Sequence, residues 1–247
     1  MESPLKIETI RYSDSGTEFA GVLIHEDAAK SRLPLLLMAP NWLGVSPDAI
    51  DRGTFLAGRG YAVFIADVYG EKLRPQGPEE AGAAANPLRS DPLTMRRRIN
   101  AAMTSFIHAA ETRGIGDASR RAAIGFCFGG GNVLELARSG AALQAVVSVH
   151  GDLTSLKPAT GGDIKAAVLA LHGAADLVSP KAQRDAFELE MEAAGACWRL
   201  FTFGGVVHAY TDVGVDIPGI AKYDEPACRT SYDAADAFIR DAFAGRV

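Results

Sequence analysis

An α/β fold built around a mostly parallel central sheet is what this sequence predicts, and three observations predict it. Short apolar runs without strict alternation recur along the chain, as strands buried on both faces do. Helical patterns separate these runs, which implies a parallel sheet with helices on both faces. A chain of 247 residues that is 48% hydrophobic can bury a substantial core, and a single domain over residues 1–247 is expected.

Taken in order, residues 5–13 and 16–26 read as two strands joined by the turn-like "SDSG", an N-terminal antiparallel hairpin. The buried strands are "LPLLLMAP" (33–40), "AVFIADV" (62–68), "AAIGF" (122–126), "AVVSVHG" (145–151) and "AAVLALHG" (166–173), with "RLFTF" (199–203) a further strand. Helices are expected at 47–58, 91–112, 130–139, 180–193 and 221–243. Segment 69–90, where Pro, Gly and Ala displace any period, is expected to be a loop over the functional edge. In such sheets that edge is formed by the carboxyl ends of the strands.

A net charge of −5, with Lys and Arg spread out, gives no electrostatic reason for a nucleic-acid or anionic-membrane partner. Arg96, Arg97 and Arg98 are read as a solvated helix face. No apolar run approaches the roughly 20 residues that span a bilayer, and Met1 to Leu5 leads into a strand pattern rather than a secretory signal. Cysteines at 127, 197 and 228 show neither CxxC nor metal-ligand spacing, which fits a reducing cytoplasm.

The stretch "AAIGFCFGGGN" (122–132) runs an apolar strand into Cys127 and three glycines. Gly-x-nucleophile-x-Gly between a strand and a helix is a nucleophile elbow, a turn too tight for side chains two residues either side, and Gly125 and Gly129 meet that demand. The helix N-terminus that follows favours the anion of a thiol. A phosphate loop would need a Lys-Ser/Thr pair that is missing here. In this architecture the triad order is nucleophile, acid, histidine. "LALHGAADLVSP" presents Asp176 after one strand and "TFGGVVHAYTD" presents His208 after the next, both past strand carboxyl ends. His208 is read as the general base and acid, and Asp176 as the residue that holds its tautomer. Singly, these three could be a buried thiol, a helix cap and a loop histidine; jointly they spell a triad. The oxyanion donors are expected to be the backbone N–H groups of Phe128 and, from "MAPNWLGVS" (38–46), of Trp42.

At this point the sequence resembles the dienelactone hydrolases, cysteine members of the α/β-hydrolase superfamily. The likeness rests on "GFCFGGG", "LHGAAD", "HAYTD" and "APNWLGV" and extends over nearly the whole chain. The resemblance implies an α/β-hydrolase fold and hydrolysis of a lactone or ester through an acyl-thiol intermediate. It implies no metal or organic cofactor, and it carries Cys127, Asp176 and His208 over as the triad. Members that open dienelactones have a Glu that falls at Asn41 here, where it interacts with the thiol; an amide cannot accept that proton. They also have an Arg four residues after the catalytic His, to bind the substrate carboxylate. Asp212 stands at that position and would repel the same group. A neutral ester or lactone is therefore the expected small-molecule partner.

Asn41, Tyr69, His150 and Tyr210 are candidate substrate contacts by their place near strand ends, each with packing as its alternative. His172 is read as structural, and Cys197 and Cys228 as buried small apolar residues. Two other readings stay open: a noncatalytic ligand-binding member of the same fold, and thiol redox chemistry at Cys127, for which no resolving cysteine lies nearby in sequence. Neither the oligomeric state nor the natural substrate is specified by these residues.

Overall fold

The computed structural model describes residues 4–27 and 31–247; the reading of Met1 to Leu5 falls partly outside this range. The chain forms two compact units, Met1–Ala123 and Ile124–Val247.

In the first unit, β1 (Leu5–Asp14) and β2 (Thr17–Glu26) pair antiparallel from Leu5 opposite Glu26 to Asp14 opposite Thr17. Ser15 and Gly16, at φ 49° and 81°, make the two-residue turn between them. Two positive-φ residues give the turn the twist a tight hairpin needs. β4 (Ala62–Ile65) pairs antiparallel with β2 and parallel with β3 (Leu33–Ala39), in the order β1-β2-β4-β3. α1 (Pro47–Ala57) opens on Ser46, whose Oγ accepts the Ala49 N–H, with proline at its first helical position. α3 (Pro92–Arg113) opens on Asp91 in the same way and ends at Gly114 with φ 68°.

Two expectations for this unit are corrected. Residues 69–90 are not all loop, because α2 (Pro78–Arg89) occupies the second half. Pro78 fills the first turn, Glu79 and Glu80 complement the helix dipole, and Ala81, Ala84, Ala85 and Leu88 form a buried stripe. Pro87 sits in the last turn. Nor is the arginine cluster simply solvated. Arg97 pairs with Asp14, but Arg98 donates to the Val68 carbonyl at 2.7 Å and lies 5.4 Å from the centre of the Phe19 ring.

β5 (Gly116–Phe126) runs across the division between the units. The second unit holds β6 (Ala145–Val149), β7 (Ala167–Gly173) and β8 (Trp198–Phe203), paired parallel in that order. With them are α4 (Phe128–Arg138), α5 (Lys181–Ala194) and α6 (Glu225–Phe243). α6 starts later than expected because Ala221–Lys222 forms β10, which pairs antiparallel with β9 (Asp216–Ile217) before Asp224 caps the helix. A buried ionic cluster ties the unit together: Arg138 on α4 donates to Glu190 on α5, to Glu135 and to the Leu153 carbonyl, and Glu190 also accepts the Ala159 N–H. The pairing observed is thus mostly parallel, with the antiparallel hairpin at the N-terminus as expected. Among the described residues no helix is long and apolar enough to cross a membrane.

Candidate active site

The triad expected from sequence comes together within the second unit. β5 ends at Phe126 and α4 begins at Phe128, so Cys127 makes the whole turn, at φ 54° and ψ −122°. A side chain at Gly125 would bring a Cβ to 2.0 Å from the Gly129 carbonyl oxygen, so only glycine fits there. Gly130 is pressed equally close to Gly151 Cα and Ser148 Oγ, both 2.7 Å from where its Cβ would be. These contacts explain the glycine run: it lets α4 start directly against the ends of β5 and β6. Phe128 is the first residue of that helix, so its N–H lies at the helix N-terminus beside the thiol.

Asp176 follows β7 and is 2% exposed. One carboxylate oxygen, Oδ1, accepts the N–H groups of Val178 and Ser179 at 2.8 and 2.9 Å, which closes a tight turn on the side chain. The other, Oδ2, faces His208 Nδ1 at 2.8 Å. His172 is fully buried beneath this turn, with Nε2 2.8 Å from the Ser179 carbonyl and 3.6 Å from Asp176 Oδ2, in keeping with a structural role. Burial opposes the charge on Asp176, but the hydrogen bonds from His208 and the Ser179 N–H outweigh it and hold its pKa below the ordinary carboxylate range.

His208 is fixed by its backbone before its ring is considered. Its N–H donates to the Ile220 carbonyl at 3.2 Å and its carbonyl accepts the Lys222 N–H at 3.0 Å. The ring then bridges Asp176 and Cys127, with Nε2 3.2 Å from Sγ. Burial disfavours its charged form, but the hydrogen bonds to Asp176 and Cys127 prevail and raise its pKa from 6.5 to about 10. A protonated imidazole thus sits between the Asp176 carboxylate and the Cys127 sulfur.

The expected substrate contacts are distributed differently. His150 and Tyr210 are fully buried rather than lining a surface. Ala209, at φ 54°, turns the chain after His208 so that Tyr210 points inward, and its hydroxyl meets the Leu171 carbonyl and Ser231 Oγ. His150 Nε2 lies 2.8 Å from Thr211 Oγ1. Asn41, Trp42 and Tyr69 gather in the first unit. Asn41 Oδ1 accepts the Leu43 N–H at 3.0 Å, and the Tyr69 hydroxyl donates to the Trp42 carbonyl at 2.9 Å. Asp67, which the sequence reading passed over, anchors Tyr69: its buried carboxylate accepts the N–H groups of Ala20, Tyr69 and Gly70 and pairs with Arg74. Asp212 is half-buried, in a turn closed by its N–H on the Ala209 carbonyl. Cys197 is exposed and Cys228 partly so, against the expectation of burial, because one precedes the outer strand β8 and the other sits in the first turn of α6. Among the described residues no three His, Cys, Asp or Glu side chains are grouped to hold a metal ion.

Comparison with known proteins agrees with this architecture. The family model described as the dienelactone hydrolase family matches residues 19–243. A solved chain named m3DLH is 33% identical, with 97% of this chain and 99% of that one covered at a TM-score of 0.88. A dienelactone hydrolase-like promiscuous phosphotriesterase from metagenomic libraries is 30% identical, with 96% and 98% covered and a TM-score of 0.85. Dienelactone hydrolase from Anabaena variabilis shares the fold at 19% identity, covering 96% and 97%, with a TM-score of 0.67. No curated protein sequence matches the chain. The fold is that of the α/β hydrolases, and the chain belongs to the dienelactone hydrolase family.

Proposed function

We propose that this protein hydrolyses a neutral carboxylic ester or lactone through an acyl-cysteine intermediate, with Cys127 as nucleophile, His208 as acid and base, and Asp176 as the partner of His208. The observation that carries the reading is the unbroken line Sγ–Nε2 at 3.2 Å and Nδ1–Oδ2 at 2.8 Å, set on a strained turn at the start of a helix. Strain of this kind persists where the surroundings over-determine it, which happens chiefly at functional sites.

In the cycle, the Cys127 thiolate attacks the carbonyl carbon. The negative charge moves to the carbonyl oxygen, for which the Phe128 N–H is a donor. As the carbon–oxygen bond breaks, His208 Nε2 gives its proton to the leaving alkoxide. With a lactone that alcohol stays attached to the acyl group. His208, now neutral, removes a proton from water, and the resulting hydroxide attacks the thioester. Collapse of the second tetrahedral species releases the acid and restores thiolate and imidazolium. Asp212, four residues beyond the base and half-buried, stands where the resemblance places a carboxylate-binding Arg, which supports a neutral substrate over a carboxylate.

The test is a panel of p-nitrophenyl esters with neutral and acidic lactones, run on the wild type, Cys127→Ala and Cys127→Ser. A phosphotriester joins the panel because one relative is described as a promiscuous phosphotriesterase. Turnover should vanish in C127A, and an activated ester should leave an acyl adduct on Cys127 of the wild type by intact mass. Unchanged turnover in C127A would end the proposal. An adduct-free wild type that only binds the panel would favour a ligand-binding role instead.

A further inference from the structure

We infer that His150 is a positioning residue for His208, acting through Thr211 and through direct ring contact. The inference rests on the triad reading above. Four non-glycine residues among those described have positive φ, and three of them belong to or adjoin the triad: Cys127 is a member, Ala209 follows His208, and His150 packs against the His208 ring. The fourth, Ser15, belongs to a hairpin turn where such a φ is ordinary. The strand pairing reaches His150, whose N–H donates to the Leu171 carbonyl at 2.8 Å, but no strand requires φ 39° just past its last residue, and the contacts of the side chain account for that turn.

Two links join it to the reacting groups. On the nucleophile's side, the preceding residue Val149 accepts the Cys127 N–H on its carbonyl at 3.0 Å, so the backbone that carries His150 also fixes the elbow. On the base's side, Nε2 meets the buried Thr211 hydroxyl at 2.8 Å, three residues beyond His208. That hydroxyl also reaches Asp212 Oδ1 at 3.4 Å. The rings also meet directly. The His150 ring centre lies 5.3 Å from that of His208 at 70° and 5.0 Å from that of Tyr210 at 75°, both edge-on. Asp176 fixes one nitrogen of His208 but leaves the ring free to rock about the line to that oxygen. The His150 ring blocks this rocking and Thr211 anchors the backbone that would follow it. His150 therefore sets the separation between Nε2 and Sγ without touching substrate.

The experiment compares Thr211→Val with Thr211→Ser, and His150→Phe as an independent variant that keeps a ring but loses the bond. Three readings are taken: kcat and KM on a p-nitrophenyl ester, the pH titration of thiolate ultraviolet absorbance, and melting temperature. The groups facing His208 in that titration are Asp176, Cys127, His172 and His150; the Thr211 variants alter none of them, and H150F removes only the last. T211V should lose about ten- to a hundredfold in kcat, the size of effect a small misplacement of a catalytic group has, with KM within about twofold. Its thiolate absorbance should appear at higher pH, since a looser contact leaves the thiolate less well paired with the imidazolium. T211S should return both readings to near wild type, and H150F should behave like T211V. A T211V or H150F protein that melts lower but keeps wild-type kcat and titration would overturn the inference and leave a packing role only. If neither can be purified folded while T211S is normal, the hydroxyl is needed for folding, and a positioning role is rejected. Failure of the triad itself would show separately, as turnover surviving in C127A.

Discussion

Replacing Asp176 by asparagine exchanges one oxygen for an NH2 group, and the surrounding hydrogen bonds dictate which oxygen is lost. Oδ1 accepts two backbone N–H groups, at 2.8 and 2.9 Å, and an amide nitrogen in that place would face two donors. The amide oxygen must therefore stay with Val178 and Ser179, and the NH2 must point at His208 Nδ1. His208 then has to present a bare Nδ1 and keep its proton on Nε2, facing Sγ. In that tautomer it can neither take the thiol proton nor carry charge beside the sulfur. The same exchange in a serine triad lowers kcat about 10⁴-fold. A thiol is intrinsically more acidic than a hydroxyl and here has a helix N-terminus beside it, so about 10³-fold, or ~4 kcal/mol, is expected. The pH dependence should change with it. In the wild type His208 holds its proton up to about pH 10 against 6.5 in an unfolded chain, so its contribution to stability is complete below pH 6.5 and is lost as pH rises through about 10. Asp176 works in the opposite sense, contributing above the unfolded value of 3.8 and losing that contribution on acidification. In Asp176→Asn both contributions disappear, and the alkaline limb of kcat/KM should fall towards 6.5 or below. Steady-state rates on a p-nitrophenyl ester across the pH range, with urea denaturation alongside, measure all of this. A variant with kcat within tenfold of wild type and an unmoved alkaline limb would refute the reasoning.

Three further outcomes are expected. Gly125→Ala puts a methyl group 2.0 Å from the Gly129 carbonyl oxygen, so the elbow must shift, at a cost of about 3 kcal/mol or more by thermal or urea denaturation, with loss of turnover; a normally stable, active G125A would contradict the packing described. Arg138→Met strands the buried carboxylates of Glu135 and Glu190, and destabilisation of about 3–5 kcal/mol should appear in urea titrations, with KM little changed. Asp212→Arg reverses the sign of charge on the turn beyond the base, so the ratio of kcat/KM for an acidic lactone over a neutral one should rise about tenfold, less at high salt, and an unchanged ratio would remove Asp212 from any account of specificity.

Much of this molecule is legible in the sequence because its signals are local. A β-hairpin declares itself by "SDSG", a buried strand by an unbroken apolar run, and the elbow by glycines whose absence of side chains is the whole point. The order Cys127, Asp176, His208 is equally visible, since each follows a strand that ends at the same edge. What escapes is whatever depends on where a chain turns after its last regular residue. Tyr210 looks like a rim residue until Ala209 takes positive φ and swings it into the core. His150 looks like a substrate contact until Thr211, unremarked in sequence, meets its ring. α2 hides behind prolines and glycines that read as a loop, although its alanines carry the helical spacing. Asp67 gives no sign because three of its partners are backbone N–H groups, which have no sequence signature at all.

The small clasp of β9 and β10 has one more implication. Because the peptide groups on both sides of residue 208 are pinned to residues 220 and 222, the turn of Pro218 and Gly219 between β9 and β10 hangs from a closed knot. Its length and composition can vary while the imidazole stays where it is. Evolution, or a protein engineer, therefore has a region beside the reacting centre where new side chains can be grafted and new substrates explored without disturbing the chemistry.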